Sequence, residues 1–119
     1  MKPLALIIED SPVFSKMFSL TLQAEFEVEA LQDGEVALTR LSEIVPDLIV
    51  LDLNLPHVSG KDILTRVKAD VRFAKTRIIL ATGDERQAEA LDDLADIVLL
   101  KPINPSQLRD LALRMKNNL

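Results

Sequence analysis

Apolar residues in this chain cluster in short runs, separated by stretches where they recur at a helical period. Leu4 to Ile8 and Leu48 to Leu51 are unbroken aliphatic runs. Such runs are the pattern of strands buried on both faces of a parallel sheet. Arg77 to Ala81 and Asp96 to Leu100 predict two more strands, and Phe26 to Leu31, alternating with glutamates, predicts a half-buried edge strand. Between them the period changes. Ser11-Pro12 reads as an N-cap with proline in the first turn, opening a helix to about Ala24 that carries Val13, Phe14, Met17, Phe18, Leu20 and Leu22. Asp33-Gly34 predicts a turn, and Ala37, Leu41 and Ile44 stripe a second helix closed by Pro46-Asp47. Gly60 opens a third, with Ile63, Leu64, Val67 and Val71 at helical spacing. Ala88, Leu91 and Ala95 mark a short acidic helix, and Leu108, Leu111, Ala112, Met115 and Leu119 stripe the last.

Five strands alternating with five helices make a parallel sheet covered on both faces. Right-handed crossovers then give a flavodoxin-like, doubly wound α/β fold with strand order 2-1-3-4-5. The 119 residues suffice for one domain, 1–119, with a real core. A composition of 48% hydrophobic and 28% charged residues excludes disorder. The net charge of −5 gives no footing for nucleic acid or an anionic membrane. With no cysteine there are no disulfides or thiolate metal sites. The apolar run after Met1-Lys2-Pro3 is too short for a signal peptide, and nothing approaches a membrane span. A cytoplasmic protein is expected. The last helix is expected to end with the chain, with no output domain in view.

In this topology the first, third, fourth and fifth strands end at one sheet edge, where open α/β sheets bind ligands. Their end residues are Glu9-Asp10, Asp52, Thr82 and Lys101. Taken singly, each has an ordinary reading. Asp52 can start a turn, Glu9 and Asp10 can complement a helix amino terminus, Thr82 can be a strand residue, and Lys101 a solvated strand end. Together at one edge they point to chemistry. Three carboxylates repel unless a cation compensates. An oxygen-rich cluster with excess negative charge suits Mg²⁺, which often completes its shell with phosphate oxygens. Lys101 supplies one positive charge and Thr82 a hydroxyl, so the set points to a phosphoryl group held at Asp52. His57, in the loop after Pro56, reads as an exposed loop residue, and Asp84 as a helix N-cap.

This ordered set resembles the receiver domain of the two-component response-regulator family over essentially the whole chain. The residues that carry it are Glu9-Asp10, Asp52 with Pro56 and Gly60, Thr82-Gly83 and Lys101-Pro102. The resemblance implies that Asp52 accepts a phosphoryl group from a phosphohistidine on a sensor histidine kinase or histidine phosphotransfer protein. It implies Mg²⁺ on Asp10, Asp52 and the backbone carbonyl of Asn54, with Glu9 acting through water. Lys101 and Thr82 would contact the phosphoryl oxygens. The output is a switched protein-interaction surface, with no direct binding to nucleic acid or membrane and room for a weak homodimer.

Three positions depart from the family pattern. Val98 stands where an aromatic usually precedes the lysine, Ile103 replaces a phenylalanine, and Leu94-Ala95-Asp96 lacks a glycine. These bear on signal output rather than on phosphorylation. Phe14, with Met17, is expected to be partly exposed and to meet the partner together with Pro102 and Ile103. A haloacid-dehalogenase-type phosphatase wants an acid where Asn54 stands, and a flavin carrier wants flanking aromatics in a chain with no Trp or Tyr. A purely constitutive interaction module leaves the acidic set without a purpose.

Overall fold

The computed structural model describes residues 1–118. Five parallel strands, β1 (Leu4–Ile8), β2 (Glu27–Leu31), β3 (Leu48–Leu51), β4 (Arg77–Thr82) and β5 (Ile97–Leu100), lie in the order β2-β1-β3-β4-β5. The helices are α1 (Pro12–Leu22), α2 (Gly34–Leu41), α3 (Gly60–Ala69), α4 (Glu85–Leu91) and α5 (Pro105–Asn117). Short 3-10 turns follow α3 and α4.

The period-2 side-chain alternation of each strand divides the core in two. Ala5, Ile7, Val50 and Ile79 face one side and pack with Phe18 and Leu22 of α1 and Leu108, Ala112 and Met115 of α5. Leu6, Ile8, Ile49, Leu51 and Leu80 face the other, against Ala37, Leu41, Ile63, Leu64, Val67 and Leu91. Both faces of β1 and β3 are therefore dry, which is why their sequences are unbroken aliphatic runs.

Helix starts follow local chemistry. Side-chain oxygens of Ser11, Asp33, Ser59, Asp84 and Asn104 each accept a backbone N–H of the helix they precede. Several expectations change. Asp33-Gly34 is the N-cap and first residue of α2, not a free turn. α2 ends at Leu41, so Ile44 lies beyond it, packed on the second core. α3 ends at Ala69 because Asp70 caps a new 3-10 turn; Val71 on that turn is 86% exposed, and Phe73 takes the buried position. Ala95 lies past α4 and its 3-10 turn. Leu119 lies outside the described residues.

Candidate phosphoacceptor site

Strand register assembles the site. Ile8 pairs with Leu51, so Glu9 and Asp52 leave β1 and β3 side by side, and the Asp52 N–H donates to the Ile8 carbonyl at 2.9 Å. Thr82 pairs with Leu100, and the Lys101 N–H donates to the Thr82 carbonyl at 2.8 Å. Four strand ends thus meet at one edge.

Glu9 is fully buried and Asp52 is 3% exposed, whereas Asp10 is exposed. Carboxylate oxygens of all three come within 4.8 Å of one another. The Lys101 ammonium lies 2.6 Å from Glu9 Oε1 and 3.8 Å from Asp52 Oδ2. Glu9 Oε2 accepts the Ser11 N–H at 3.0 Å, and Asp52 Oδ1 accepts the Asn54 N–H at 3.1 Å. Glu9 Oε1 makes no hydrogen bond and is held only by its charge contact with the Lys101 ammonium. Burial pushes the Asp52 carboxyl up to about 7; the Asn54 N–H and Lys101 oppose that rise, and Glu9 adds to it. A buried, partly unsatisfied set of hard oxygens fits a divalent cation such as Mg²⁺.

Thr82 is at the edge and fully buried, and its hydroxyl oxygen accepts the Asp84 N–H at 3.1 Å. Asp84 caps α4 through the Gln87 N–H, which holds its carboxyl below the usual range. Gln87 also reaches Asn54 Oδ1 at 3.5 Å, a bridge across the pocket mouth that no sequence pattern signals. His57 is 63% exposed in its side chain and pairs through Nδ1 with Asp33. Its φ of 68° places it in the left-handed region.

Gly60 has a role beyond opening α3. A Cβ there would stand 2.1 Å from the Asp52 carbonyl oxygen, so only glycine lets the helix start press on the strand end that carries Asp52. Its position eight residues after Asp52 was the available signal.

Of the residues expected to meet the partner, Phe14 and Met17 are partly exposed and Pro102 is exposed, as expected, and Ile103 is not. Phe14 is half-buried and packed at a tilt on Phe18, with Lys101 over its ring. Ile103 is 6% exposed and belongs to the core, so it is not a surface contact. The apolar residues that α1 exposes are Val13 and Leu20.

Fold and pocket together define a doubly wound α/β domain with an acidic pocket, bridged by a lysine, at the carboxyl edge of its sheet. The response regulator receiver domain model matches residues 5–113, and the chain belongs to that family. It is a receiver domain of the two-component response regulators. It is 31% identical over 109 residues to the DNA-binding response regulator MtrA of Mycolicibacterium smegmatis, covering 91% of this chain and 48% of that protein. With the phosphate regulon transcriptional regulatory protein PhoB of Rhizobium meliloti it shares 33% over 112 residues, covering 91% and 49%. The chain thus spans about half the length of these relatives. The solved chemotaxis response regulator CheY4 of Vibrio cholerae superposes with a TM-score of 0.87 at 28% identity, covering 97% of this chain and 99% of that one. No helix among the described residues is long and apolar enough to cross a membrane.

Proposed function

We propose that the domain, taken as residues 1–119, accepts a phosphoryl group on Asp52 from a phosphohistidine of a sensor kinase or phosphotransfer protein. The observation that carries this is the buried Asp52 carboxylate at the end of β3, beside Glu9, with the Lys101 ammonium within reach of both acids. An Asp52 oxygen attacks phosphorus, the P–N bond breaks, and its electron pair stays on the donor imidazole. An ionised carboxylate needs no general base. Positioning and charge neutralisation are what remain for the protein to supply. Lys101 is the cation for the phosphoryl oxygens, and Thr82 can donate its hydroxyl hydrogen to one of them while its oxygen keeps the Asp84 amide. Glu9, Asp10, Asp52 and the Asn54 carbonyl would hold Mg²⁺, which when bound neutralises charge on the transferring group.

The resulting acyl phosphate alters the β4–α4 loop and with it a protein-interaction surface. Val98, half-buried against the second core, offers no aromatic swing, so the Thr82 loop carries the change. Relatives that are DNA-binding regulators fit an output domain or partner that reads this surface, in a cytoplasmic setting. The test is intact mass after incubation with acetyl phosphate and Mg²⁺. One phosphoryl adduct is expected, lost with EDTA and absent in Asp52→Asn. An undiminished adduct in that variant overturns the assignment.

A further inference from the structure

The reading above leaves Phe14 unused, yet its ring lies against the pocket's lysine. Lys101 Nζ sits 4.5 Å from the ring centroid. The ring also packs at a 37° tilt on Phe18, 5.9 Å between centroids, and Phe18 is wholly buried in the core between sheet and α5. The ring is therefore braced. The same residues close a circuit around the ammonium. Glu9 Oε2 accepts the Ser11 N–H, Ser11 Oγ accepts the Phe14 N–H, the Phe14 ring faces Lys101, and Lys101 returns to Glu9 Oε1.

We propose that Phe14 is a positioning residue for Lys101: its ring face holds the ammonium between Glu9 and Asp52, ready for the incoming phosphoryl oxygens. This rests on the role given to Lys101 above. A lysine carries its charge on a flexible four-carbon stem and does not hold one geometry unaided. Glu9 and Asp52 attract the ammonium by charge, which sets no direction along the flexible stem. The negative face of an aromatic ring supplies a further attraction, stronger where water is excluded, and Lys101 is only 16% exposed in its side chain. Leucine would fill the same space on Phe18 but offer the ammonium no such face.

The experiment compares wild type with Phe14→Leu and Phe14→Tyr, each alone and in a Lys101→Met background. Two quantities are read. The first is the rate of adduct formation from acetyl phosphate with Mg²⁺, followed by intact mass. Phe14→Leu should slow it about fivefold, Phe14→Tyr should stay within about twofold, and Phe14→Leu should add nothing once Lys101 is methionine. The second is the NMR shift of the Lys101 ε-methylene protons. The ring should displace it upfield in wild type and Phe14→Tyr, and it should return to the ordinary lysine position in Phe14→Leu. Equal rates for the leucine and tyrosine variants overturn the proposal, as does a leucine penalty that persists without Lys101. Slowing confined to a phosphohistidine protein donor also overturns it, since that assigns Phe14 to docking. An adduct on Asp52→Asn would instead sink the phosphoacceptor reading, and the methylene shift would still decide whether the ring places the ammonium.

Discussion

At the amino end of the sheet, Asp47 and Asp96 turn their carboxylates onto neighbouring strands. Asp47 Oδ2 accepts the Leu4 N–H at 2.8 Å while its own N–H returns to the Leu4 carbonyl at 2.9 Å. Asp96 does the same with Ile78, at 2.7 and 3.0 Å, and its other oxygen faces Arg77 at 3.3 Å. At the carboxyl end, Glu9 and Asp52 are more deeply buried, repel each other, and leave Glu9 Oε1 with no hydrogen bond, only the charge of Lys101. Acids of the same kind thus do opposite things on one sheet. The first pair supplies acceptors that strand starts lack, and the second pair is left wanting a cation. Room does not make the difference, since a cleft of about 600 Å³ opens at the amino end beside Asp47, Thr76, Arg77 and Asp96. What distinguishes the two ends is unsatisfied bonding capacity.

The sharpest way to break this contrast is to remove the cation at the functional end. Lys101→Ala leaves two buried carboxylates without their counter-charge, and losing one partner of a buried pair typically costs about 3 kcal/mol. That loss should appear in denaturant unfolding with EDTA and shrink when Mg²⁺ is added. A loss below about 1 kcal/mol in EDTA, or no recovery with Mg²⁺, would mean the acids do not strain the fold. At the other end, Asp96→Ala strips the acceptor from the Ile78 N–H at the start of a buried strand. It should cost about 1–3 kcal/mol, with no response to Mg²⁺ and an unchanged phosphoryl adduct.

Asp52→Asn should move stability the other way. The folded protein holds this carboxyl up at about 7 against an ordinary 3.8, so the folded state binds its proton more tightly than the unfolded chain does. The group weighs nothing against folding below about pH 4, increasingly so through the window from about 4 to about 7, and fully above it. Without Mg²⁺ the asparagine variant should therefore be more stable than wild type at pH 8, by about 1–2 kcal/mol, with the gap closing toward pH 4. Thermal unfolding across that range checks it. A variant less stable than wild type at pH 8 would show that Asp52 carries no burial penalty.

Much of this was legible in the sequence for a physical reason. Doubly buried strands leave unbroken aliphatic runs, and the residue after each run must lie at the ligand edge, so Glu9-Asp10, Asp52, Thr82 and Lys101 could be placed without coordinates. What stayed hidden depended on direction rather than position. Nothing in the run of residues says that Glu9 turns inward while Asp10 stays exposed, or that the Thr82 hydroxyl turns to the Asp84 amide. Phe14 looked like a surplus apolar residue on an amphipathic helix, and only packing on Phe18 turns its ring to Lys101. Ile103 read as a surface residue after Lys101-Pro102, yet the chain bends inward there. Asp33 was read as a turn former because an Asx cap and an Asx turn use the same side chain.

The smallest expected effect tests what holds the amino-end acids. Arg77 lies 3.3 Å from Asp96 Oδ1, which invites the view that this end, like the other, is built on an ion pair. The exposures argue otherwise: the Arg77 side chain is 41% exposed and that of Asp96 26%, and ion pairs so open to water contribute about 0–1 kcal/mol. The Arg77 backbone N–H donates to the Asp47 carbonyl, a bond any side chain at this position keeps. Arg77→Gln retains most of the stem that lies along the cleft wall and removes only the charge. It should cost about 0.5 kcal/mol or less in low salt, and about 0.5 M salt should remove even that difference by screening. Asp96→Ala should keep its full cost at either salt concentration, because the bond it breaks is to a backbone N–H. If Arg77→Gln instead costs as much as Asp96→Ala and both fade with salt, charge rather than a satisfied strand start holds Asp96. The two ends of the sheet would then differ only in degree.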